Sequence, residues 1–241
     1  MEWIYGRQVA RLALAAGAKR RPHRLAVTAA ALADLGRHGA DPAGVPRQLC
    51  ETRELDHLSG SREHQGVALL VDGYPYADAD RLVRSDLVVV LDQVGDPRNV
   101  GAVVRSALAA GAGGLALPRH RSAAITPAAV KTSAGASEHL DVARVTNIAA
   151  FLEKLKAGGF WVYGAAGDAE TSYLDLDFSG RVAVVFGAEG KGLRPLVRRA
   201  CDACARIPVR GPVDSLNVSV AAALFLFEAA RRHTTHPTHP T

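Results

Sequence analysis

The sequence of 241 residues is poor in aromatic residues, in cysteine and in long apolar segments. Aromatic residues make up 5% of the chain against 48% hydrophobic residues overall, so alanine, valine and leucine must supply most of the core. Such a composition suits helices packed on a sheet of valine- and leucine-rich strands. The longest apolar run, 218–227, is interrupted by Ser219 and is too short to span a bilayer. We therefore expect no membrane segment.

The three cysteines, Cys50, Cys201 and Cys204, are too few for a disulfide framework and fit a reducing compartment. Cys201 and Cys204 have the spacing of a redox motif, but no second Cys/His pair lies nearby at zinc-finger spacing. We interpret them as structural residues, with redox or metal chemistry as the alternative, and predict no metal site. The N-terminus lacks the basic and apolar regions of a signal peptide, so the predicted location is the cytoplasm.

The charge balance is mildly basic, with a formal net charge of +5 and a pI of about 9.4. This excess is compatible with a polyanionic partner but does not establish one, because 24 acidic residues are spread along the chain. The most concentrated positive charge lies in one short stretch that contains Lys19, Arg20, Arg21 and Arg24.

Two α/β regions can be distinguished. Residues 1–72 alternate short helices and strands and predict a small domain, and the turn-rich, acidic segment 73–84 is the predicted linker. In residues 85–232 strands alternate with helices, which predicts a parallel sheet covered on both faces. Its predicted strands are 87–91, 114–117, 140–145, 160–165, 181–186 and 205–207. Residues 233–241 are of low complexity and are predicted to be a disordered tail.

The loop after the first of these strands carries a turn and an isolated charge. Asp96-Pro97 favours a turn, and Asn99 is a candidate cap for the helix predicted at 100–110. Arg105 interrupts this otherwise small and apolar helix. A guanidinium in such surroundings must find an anion or a hydrogen-bonded niche. An ion pair with a carboxylate elsewhere in the chain is the alternative to a functional role.

Two later loops also follow strands and precede helices, where α/β sheets bind ligands. Residues 187–192 contain three glycines in the order G-x-x-G-x-G, which fits neither a dinucleotide fingerprint nor a phosphate-binding P-loop. The segment is a ligand-binding loop or a tight turn. Residues 207–221 place Ser215, Asn217 and Ser219 at a helix start, where a single N-cap needs only one such residue.

Together these segments resemble a known family. The patterns D-x-V-x-D-P-x-N-x-G-x-x-x-R-S-A at 92–107, F-G-A-E-G-x-G at 186–192 and I-P-x-x-G-x-x-x-S-L-N-V-S-V-A at 207–221 are similar to the three motifs of SpoU-type (SPOUT superfamily) RNA 2'-O-ribose methyltransferases. Ile4-Tyr5-Gly6 and His64-Gln65-Gly66-Val67 resemble the substrate-binding domain of the ribosomal RNA branch. The resemblance implies a parallel α/β sheet with a C-terminal trefoil knot, preceded by a small, ribosomal-protein-like RNA-binding domain.

The resemblance also implies the site. The implied catalytic residues are Asn99, Arg105, Glu189, Ser215 and Asn217. The implied S-adenosylmethionine-binding residues are Gly187, Glu189, Gly190, Ile207, Leu216, Asn217 and Val218. Because arginine is effectively always protonated, we interpret Arg105 as a cation that clamps the RNA phosphate and stabilises the developing alkoxide, rather than as a base.

The implied activity is methylation of ribosomal RNA, with a guanosine of 23S rRNA as the expected target. A tRNA ribose methyltransferase of the same superfamily and a catalytically inactive RNA-binding module are the alternatives. We predict that Lys19, Arg20, Arg21 and Arg24 dock the RNA electrostatically, a solvated charged turn being the alternative.

The helix predicted at 218–232 is apolar nearly all round. Phe225 and Phe227 point about 200° apart on it, so only one of them can face the sheet. This pattern predicts a homodimer joined partly through this helix. Cover by the N-terminal domain of the same chain is the alternative.

Overall fold

The computed structural model describes residues 1–38, 44–210, 212 and 214–235. The chain divides into two compact units, of which the first comprises Met1–Pro75 and Ile125–His139. The second comprises Tyr76–Ala124 and Leu140–Thr241. The segment 125–139, which lies in the middle of the second domain in the sequence, therefore contributes to the first unit. None of the described helices is both long enough and apolar enough to cross a membrane.

The first unit is built on a four-stranded mixed sheet in the order β1-β4-β2-β3. Its strands are β1 (Glu2–Tyr5), β2 (Pro22–Val27), β3 (Arg47–Leu49) and β4 (Val67–Val71). Its helices are α1 (Arg7–Leu14), α2 (Ala29–Arg37), α3 (Thr52–Ser59) and, from the 125–139 segment, α6 (Pro127–Thr132). The strands β1 and β3, of four and three residues, are too short to show a clear period of two in the sequence.

The second unit is a seven-stranded sheet in the order β7-β6-β5-β10-β8-β11-β9. All of its strand pairs are parallel, which confirms the predicted α/β class. Its strands are β5 (Leu87–Asp92), β6 (Gly114–Pro118), β7 (Asp141–Val145), β8 (Trp161–Ala165), β9 (Thr171–Ser172), β10 (Val182–Gly187) and β11 (Ala203–Arg206). Its helices are α4 (Ala79–Leu82), α5 (Pro97–Ala109), α7 (Ile148–Ala157), α8 (Pro195–Ala200) and α9 (Val218–Thr235).

The helices α5, α4 and α9 differ from the sequence-based expectation. Asp96, not Asn99, caps α5: its side chain accepts the N–H of Arg98 at 2.8 Å, and Pro97 supplies the first helical position. Asn99 consequently lies in the first turn with its amide free for other contacts. The helix α4 falls within the segment 73–84. Helix α9 continues to Thr235, so the first three residues predicted as tail are helical, and residues 236–241 lie outside the described part of the chain.

The strands β5 and β10 place two of the candidate loops side by side. Leu91 pairs with Phe186 and Asp92 with Gly187, so both strands end at the same edge of the sheet. The loop 93–96 and the loop 188–194 leave this edge together. β5 is buried along its whole length, which fixes the position of the first loop. The knot that the resemblance implies stays a prediction.

Candidate functional site

Three of the predicted polar residues form one hydrogen-bonded group. The amide of Asn99 donates to Oε1 of Glu189 at 2.5 Å. The amide of Asn217 donates to the same oxygen at 2.9 Å and to Oδ1 of Asn99 at 3.1 Å. Residues 90 and 28 positions apart in sequence therefore meet on one carboxylate oxygen. We call Asn99, Glu189 and Asn217 the polar trio.

Asn217 is held in this position by the helix it begins. Its Oδ1 accepts the backbone N–H of Ser219 at 2.9 Å and the Ser219 hydroxyl at 2.6 Å. The oxygen side of the amide thus caps α9, which leaves the nitrogen side for the polar trio. Asn217 is therefore more than a helix cap, because the same amide also joins the polar trio.

A cavity of about 810 Å³ opens beside the polar trio. Glu189 and Asn217 line it together with the apolar side chains of Phe186, Val218 and Phe225. All seven residues predicted to bind the cofactor lie in its wall: Gly187, Glu189, Gly190, Ile207, Leu216, Asn217 and Val218. An apolar wall with a few convergent polar groups is typical of a small-molecule site. The cavity therefore has the size and lining that an adenosine-containing ligand needs.

The charges of the wall suit a ligand with a positive centre. Glu189 and Asp214 both line the cavity, and the sulfonium and ammonium groups of S-adenosylmethionine are cationic. Arg206 lines it as well, with its Nη1 bonded to the carbonyl of Ala169 at 3.0 Å. The residues present therefore fit this cofactor.

The loop 187–192 closes on itself so tightly that Gly187 has no room for a side chain. A Cβ at this position would lie 2.1 Å from the carbonyl carbon of Gly192. Gly192 adopts a φ of +64° and donates its N–H to the carbonyl of Ala188 at 2.8 Å, which completes the turn. The loop's own backbone, and not only an approaching ligand, therefore requires glycine here.

Two of the predicted catalytic residues are not part of the polar trio. Ser215 is exposed in the cavity wall. Arg105 is exposed on α5, with no hydrogen bond or ion pair to any residue that the structure describes. The alternative of an ion pair between Arg105 and a carboxylate elsewhere in the chain is thus wrong within the described residues, because the apolar residues of α5 face inward and Arg105 faces solvent.

Of the four basic residues predicted to dock RNA, Arg20 is not available at the surface. The side chain of Arg20 is fully buried: it donates to Oε2 of Glu138 at 3.0 Å and to Oε1 of Glu2 at 2.6 Å. A buried cation is retained only when it is paired, and Arg20 is committed to these carboxylates. By contrast, Arg21 and Arg24 are exposed and Lys19 is half-buried. A cavity of about 400 Å³ in the same unit is lined by Lys19 and Arg21.

Sequence reasoning missed a buried ion pair behind the loop 187–192. Asp92, fully buried at the end of β5, accepts the backbone N–H of Arg194 at 3.0 Å and its Nη2 at 2.6 Å. The available signal was an acidic residue that ends a strand of otherwise apolar residues.

The three cysteines form no disulfide bond with each other. All three thiols are free, and burial raises the pKa of the Cys201 thiol to about 12. Such a thiol forms almost no thiolate at neutral pH. Within residues 1–38, 44–210, 212 and 214–235, no group of three or more His, Cys, Asp or Glu side chains has the arrangement of a metal site.

Comparison with known families gives two matches. Residues 86–227 match the model of the SpoU rRNA Methylase family. Residues 3–77 match the model described as RNA 2'-O ribose methyltransferase substrate binding.

Two curated relatives are similar over most of the chain. An uncharacterized tRNA/rRNA methyltransferase of Mycobacterium sp. (strain KMS) is 47% identical over 195 residues, 78% of this chain and 60% of the relative. The chain thus spans three fifths of the length of this relative. The 23S rRNA (guanosine-2'-O-)-methyltransferase RlmB of Xylella fastidiosa (strain 9a5c) is 44% identical over 198 residues, 79% of this chain and 80% of the relative.

The solved structures that resemble the chain fall into two groups by coverage. The SpoU methyltransferase AviRb from Streptomyces viridochromogenes, in complex with AdoMet, has a TM-score of 0.79 at 27% identity and covers 97% of this chain and 90% of its own. AdoMet-bound rRNA methyltransferase from Sinorhizobium meliloti has a TM-score of 0.76 at 26% identity. The match covers 95% of this chain and 87% of the S. meliloti chain. The A. aeolicus TrmH/SpoU tRNA modifying enzyme has a TM-score of 0.58 at 27% identity. The match covers 65% of this chain and 83% of the A. aeolicus chain.

Proposed function

Because the chain belongs to the SpoU rRNA methylase family, we propose that it transfers the methyl group of S-adenosylmethionine to a ribose 2'-hydroxyl of ribosomal RNA. The observation that carries the proposal is that the three motifs meet through the hydrogen bonds among Asn99, Glu189 and Asn217, beside the cavity that the second and third motifs line. The relatives that carry rRNA in their names support the substrate class.

S-adenosylmethionine is proposed to bind in the cavity of about 810 Å³ between the loops 187–192 and 207–217. Bound there, it would supply an activated methyl group on a sulfonium. Phe186, Leu216 and Val218 provide apolar contacts for the adenosine, and the carboxylate of Glu189 favours the cationic end. AviRb, a structural neighbour, is known with AdoMet bound.

The residues of the chain are proposed to act by orientation and by charge. Asn99 and Asn217 fix the carboxylate of Glu189 through two amide donors, so that it keeps one geometry at the cavity. Arg105 is proposed to hold the RNA phosphate and to stabilise the alkoxide that develops as the 2'-hydroxyl loses its proton. Ser215, in the cavity wall, is proposed to orient the ribose.

The domain content favours ribosomal RNA over tRNA. The S. meliloti rRNA methyltransferase covers 95% of the chain, whereas the A. aeolicus tRNA modifying enzyme covers 65%. The unit at Met1–Pro75 therefore accompanies the rRNA enzyme in this comparison. A guanosine of 23S rRNA is the proposed target, by similarity to the X. fastidiosa relative, and the proposed location is the cytoplasm.

A homodimer is proposed through α9. Val220, Leu224 and Phe227 are exposed at positions i, i+4 and i+7 and so share one face of this helix. Phe225, on the opposite side, is fully buried against Phe186, with ring centroids 5.6 Å apart. The exposed face needs a cover, and Arg105 lacks a partner among the described residues, so we propose that a second copy supplies the cover and completes the surroundings of Arg105.

The function is tested by methyl transfer. The purified protein with radiolabelled S-adenosylmethionine is expected to label 23S rRNA transcribed in vitro and not tRNA, and ribose mapping is expected to place the label at a 2'-O-methylguanosine. Label in tRNA alone would establish the tRNA alternative. No label in either RNA, with normal cofactor binding, would establish the inactive module.

Docking by the first unit is tested separately. Neutralising Lys19, Arg21 and Arg24 is expected to weaken RNA binding and to flatten its dependence on salt, because fewer counterions are released. Arg20→Gln is expected to lower the stability of the fold instead, because it breaks a buried ion pair. An unchanged salt dependence in the triple variant would contradict the docking role.

A further inference from the structure

We propose that the loop 119–122 of the second unit binds the phosphate backbone of the RNA substrate, an inference that rests on the proposed function for the identity of the polyanion. The loop follows β6 and contains Arg119, His120 and Arg121 in succession. All three side chains are exposed, and none forms a hydrogen bond or ion pair with any residue that the structure describes. Two unpaired guanidinium groups on one short loop form a concentrated positive surface.

The loop is fixed to the first motif rather than to a distant part of the sheet. The N–H of Ala123 donates to the carbonyl of Val94 at 2.9 Å, and the hydroxyl of Ser122 donates to the same carbonyl at 3.1 Å. Val94 lies in the loop that leads from β5 to Asn99. β5 and β6 are adjacent parallel strands, so both loops leave the same edge of the sheet. The positive surface therefore lies beside the loop 93–96, which leads to Asn99 of the polar trio.

Its base is held from the other side as well. The N–H of Arg119 donates to the carbonyl of Val145 at 2.9 Å, and Arg144 donates through Nη2 to the carbonyl of Arg119. The guanidinium of Arg144 in turn stacks over the ring of Tyr76, 5.3 Å from its centroid. The backbone of Arg119 is thus anchored through both its N–H and its carbonyl, while the side chains of Arg119 and Arg121 are exposed.

The backbone conformation is unusual for these residue types. Arg121 has a φ of +59° and Gln93, in the neighbouring loop, has a φ of +65°. Side chains other than glycine rarely adopt this left-handed region, and it persists only where surrounding contacts enforce it. The backbone that carries Arg121 is therefore held in one conformation, and its exposed guanidinium can bind a phosphate with two parallel hydrogen bonds.

No carboxylate that the structure describes forms an ion pair with Arg119 or Arg121. Asp92 is fully buried and paired with Arg194, and Asp96 accepts the N–H of Arg98 as the cap of α5. An acidic protein surface would also be attracted to two arginines. We favour RNA because the loop is bonded to the segment that leads to Asn99 of the proposed catalytic site, and phosphates flank every ribose.

The test combines Arg119→Ala with Arg121→Gly. Glycine adopts a φ of +59° without strain, so the second change removes the charge without forcing the loop to rearrange. Binding of 23S rRNA transcribed in vitro is measured over a range of salt concentrations, and cofactor affinity is measured by calorimetry. We expect RNA affinity to fall by about tenfold at ~100 mM salt and the slope of log K against log salt to become less steep by about 1.4–1.8, for two lost phosphate contacts.

The matched control is Arg84→Ala with Arg199→Ala, which removes the same charge from the opposite edge of the sheet. Arg84 precedes β5, and Arg199 lies near the end of α8, before the chain enters β11. Both side chains are exposed. The control is expected to change RNA affinity and salt slope much less than the loop variant, and cofactor affinity should stay unchanged in both, because none of the four residues lines the cavity.

Equal RNA affinity and salt slope in the loop variant and the control would overturn the proposal. Binding does not depend on methyl transfer, so the two proposals fail separately. Tight RNA binding that the loop variant weakens, with no methyl transfer by the unchanged protein, would support the phosphate surface and reject the proposed function. Methyl transfer by the unchanged protein, with RNA binding that the loop variant leaves unaltered, would support the proposed function and reject the phosphate surface.

Discussion

Arg194 joins the loop 187–192 to the end of β5 by giving two kinds of donor to the buried carboxylate of Asp92. Its backbone N–H lies 3.0 Å from Oδ2, and its Nε and Nη2 lie 2.7 and 2.6 Å from Oδ1. The other side of the loop is held by Glu189 through the polar trio. The loop that lines the proposed cofactor site is thus tied to the sheet at its end and to two helices at its centre.

Asp92→Ala is expected to lower the free energy of unfolding by about 1–3 kcal/mol, because it leaves a backbone N–H and a guanidinium without their acceptor. The value is below that of a fully buried pair because Arg194 is 44% exposed and can be hydrated. Denaturant unfolding measures the change. Asp168→Ala, which breaks the exposed pair with Arg198, is the control and should leave the unfolding midpoint unchanged. Equal effects of the two changes would contradict the anchoring role.

Gly187→Ala is expected to weaken cofactor binding. The added Cβ would meet the backbone of Gly192, and relief of such overpacking costs about 1–3 kcal/mol. If the loop shifts to relieve it, cofactor affinity falls by about tenfold, since each 1.4 kcal/mol is one power of ten. Calorimetry with S-adenosylmethionine gives the affinity. Gly167→Ala is the control, because Gly167 lines the same cavity and has open space where a Cβ would lie. This variant should bind S-adenosylmethionine with normal affinity. Unaltered affinity in Gly187→Ala would reject the placement.

Asn217→Ser separates the two functions of this residue. Serine keeps an oxygen that can cap α9, but its short hydroxyl cannot replace the amide that donates to Glu189 and Asn99. Single-turnover methyl transfer is expected to fall by about 10²-fold while thermal stability changes little. Asn147→Ser, the same change at the cap of α7, is the control, since it lies outside the cavity lining. A normal rate in Asn217→Ser would remove the polar trio from the mechanism.

Arg105→Ala is expected to reduce single-turnover methyl transfer by about 10²–10³-fold with cofactor affinity unchanged, because Arg105 does not line the cavity. Arg105→Lys should rescue little, since an ammonium cannot reproduce the planar fork at a phosphate. Arg98→Ala, on the same helix and also exposed, is the control for loss of one charge. Retention of most of the rate in Arg105→Ala, measured at saturating RNA, would show that Arg105 has no part in the reaction.

Two phenylalanines of α9 are expected to respond in opposite ways to aspartate. Phe225 is fully buried and packs on Phe186 and Tyr173, so Phe225→Asp should unfold the second unit. Phe227 is 52% exposed, so Phe227→Asp should leave the fold intact and dissociate the proposed dimer. Sedimentation at micromolar concentration measures dissociation of the dimer, and circular dichroism measures unfolding. A compact, active monomer of the unchanged protein would contradict the dimer.

Much of the second unit could be predicted because its signals are local. The strands β5 and β10 are valine-rich runs that lie at the predicted positions to within one residue. The prediction that only one of Phe225 and Phe227 faces the sheet is confirmed, because it follows from helix geometry alone. The cap of α5 was predicted wrongly, because Asp96 and Asn99 are both good caps and only the helix start distinguishes them.

The partners of the charged side chains could not be predicted from the spacing of residues in the sequence. Arg20 stands among exposed basic residues in the sequence, but its partner Glu138 lies 118 positions away, so nothing local indicates that it is buried. Arg105 gives the opposite case: an arginine among apolar residues suggests a buried niche, yet it faces solvent once the helix packs. The segment 125–139 belongs to the first unit although the sequence around it reads as the second.

The sequence by itself determined the α/β class, the order of most elements and the residue types of the three motifs, because side-chain periodicity and turn chemistry act over a few residues. Only the tertiary structure decided which of those residues meet. Asn99, Glu189 and Asn217 come together because parallel strands end at one edge of a sheet, whereas Arg105 stays apart because it lies two turns down a helix that leaves that edge. Which side chains share a site is set by contacts between segments distant in the chain, and these depend on how the whole sheet is ordered.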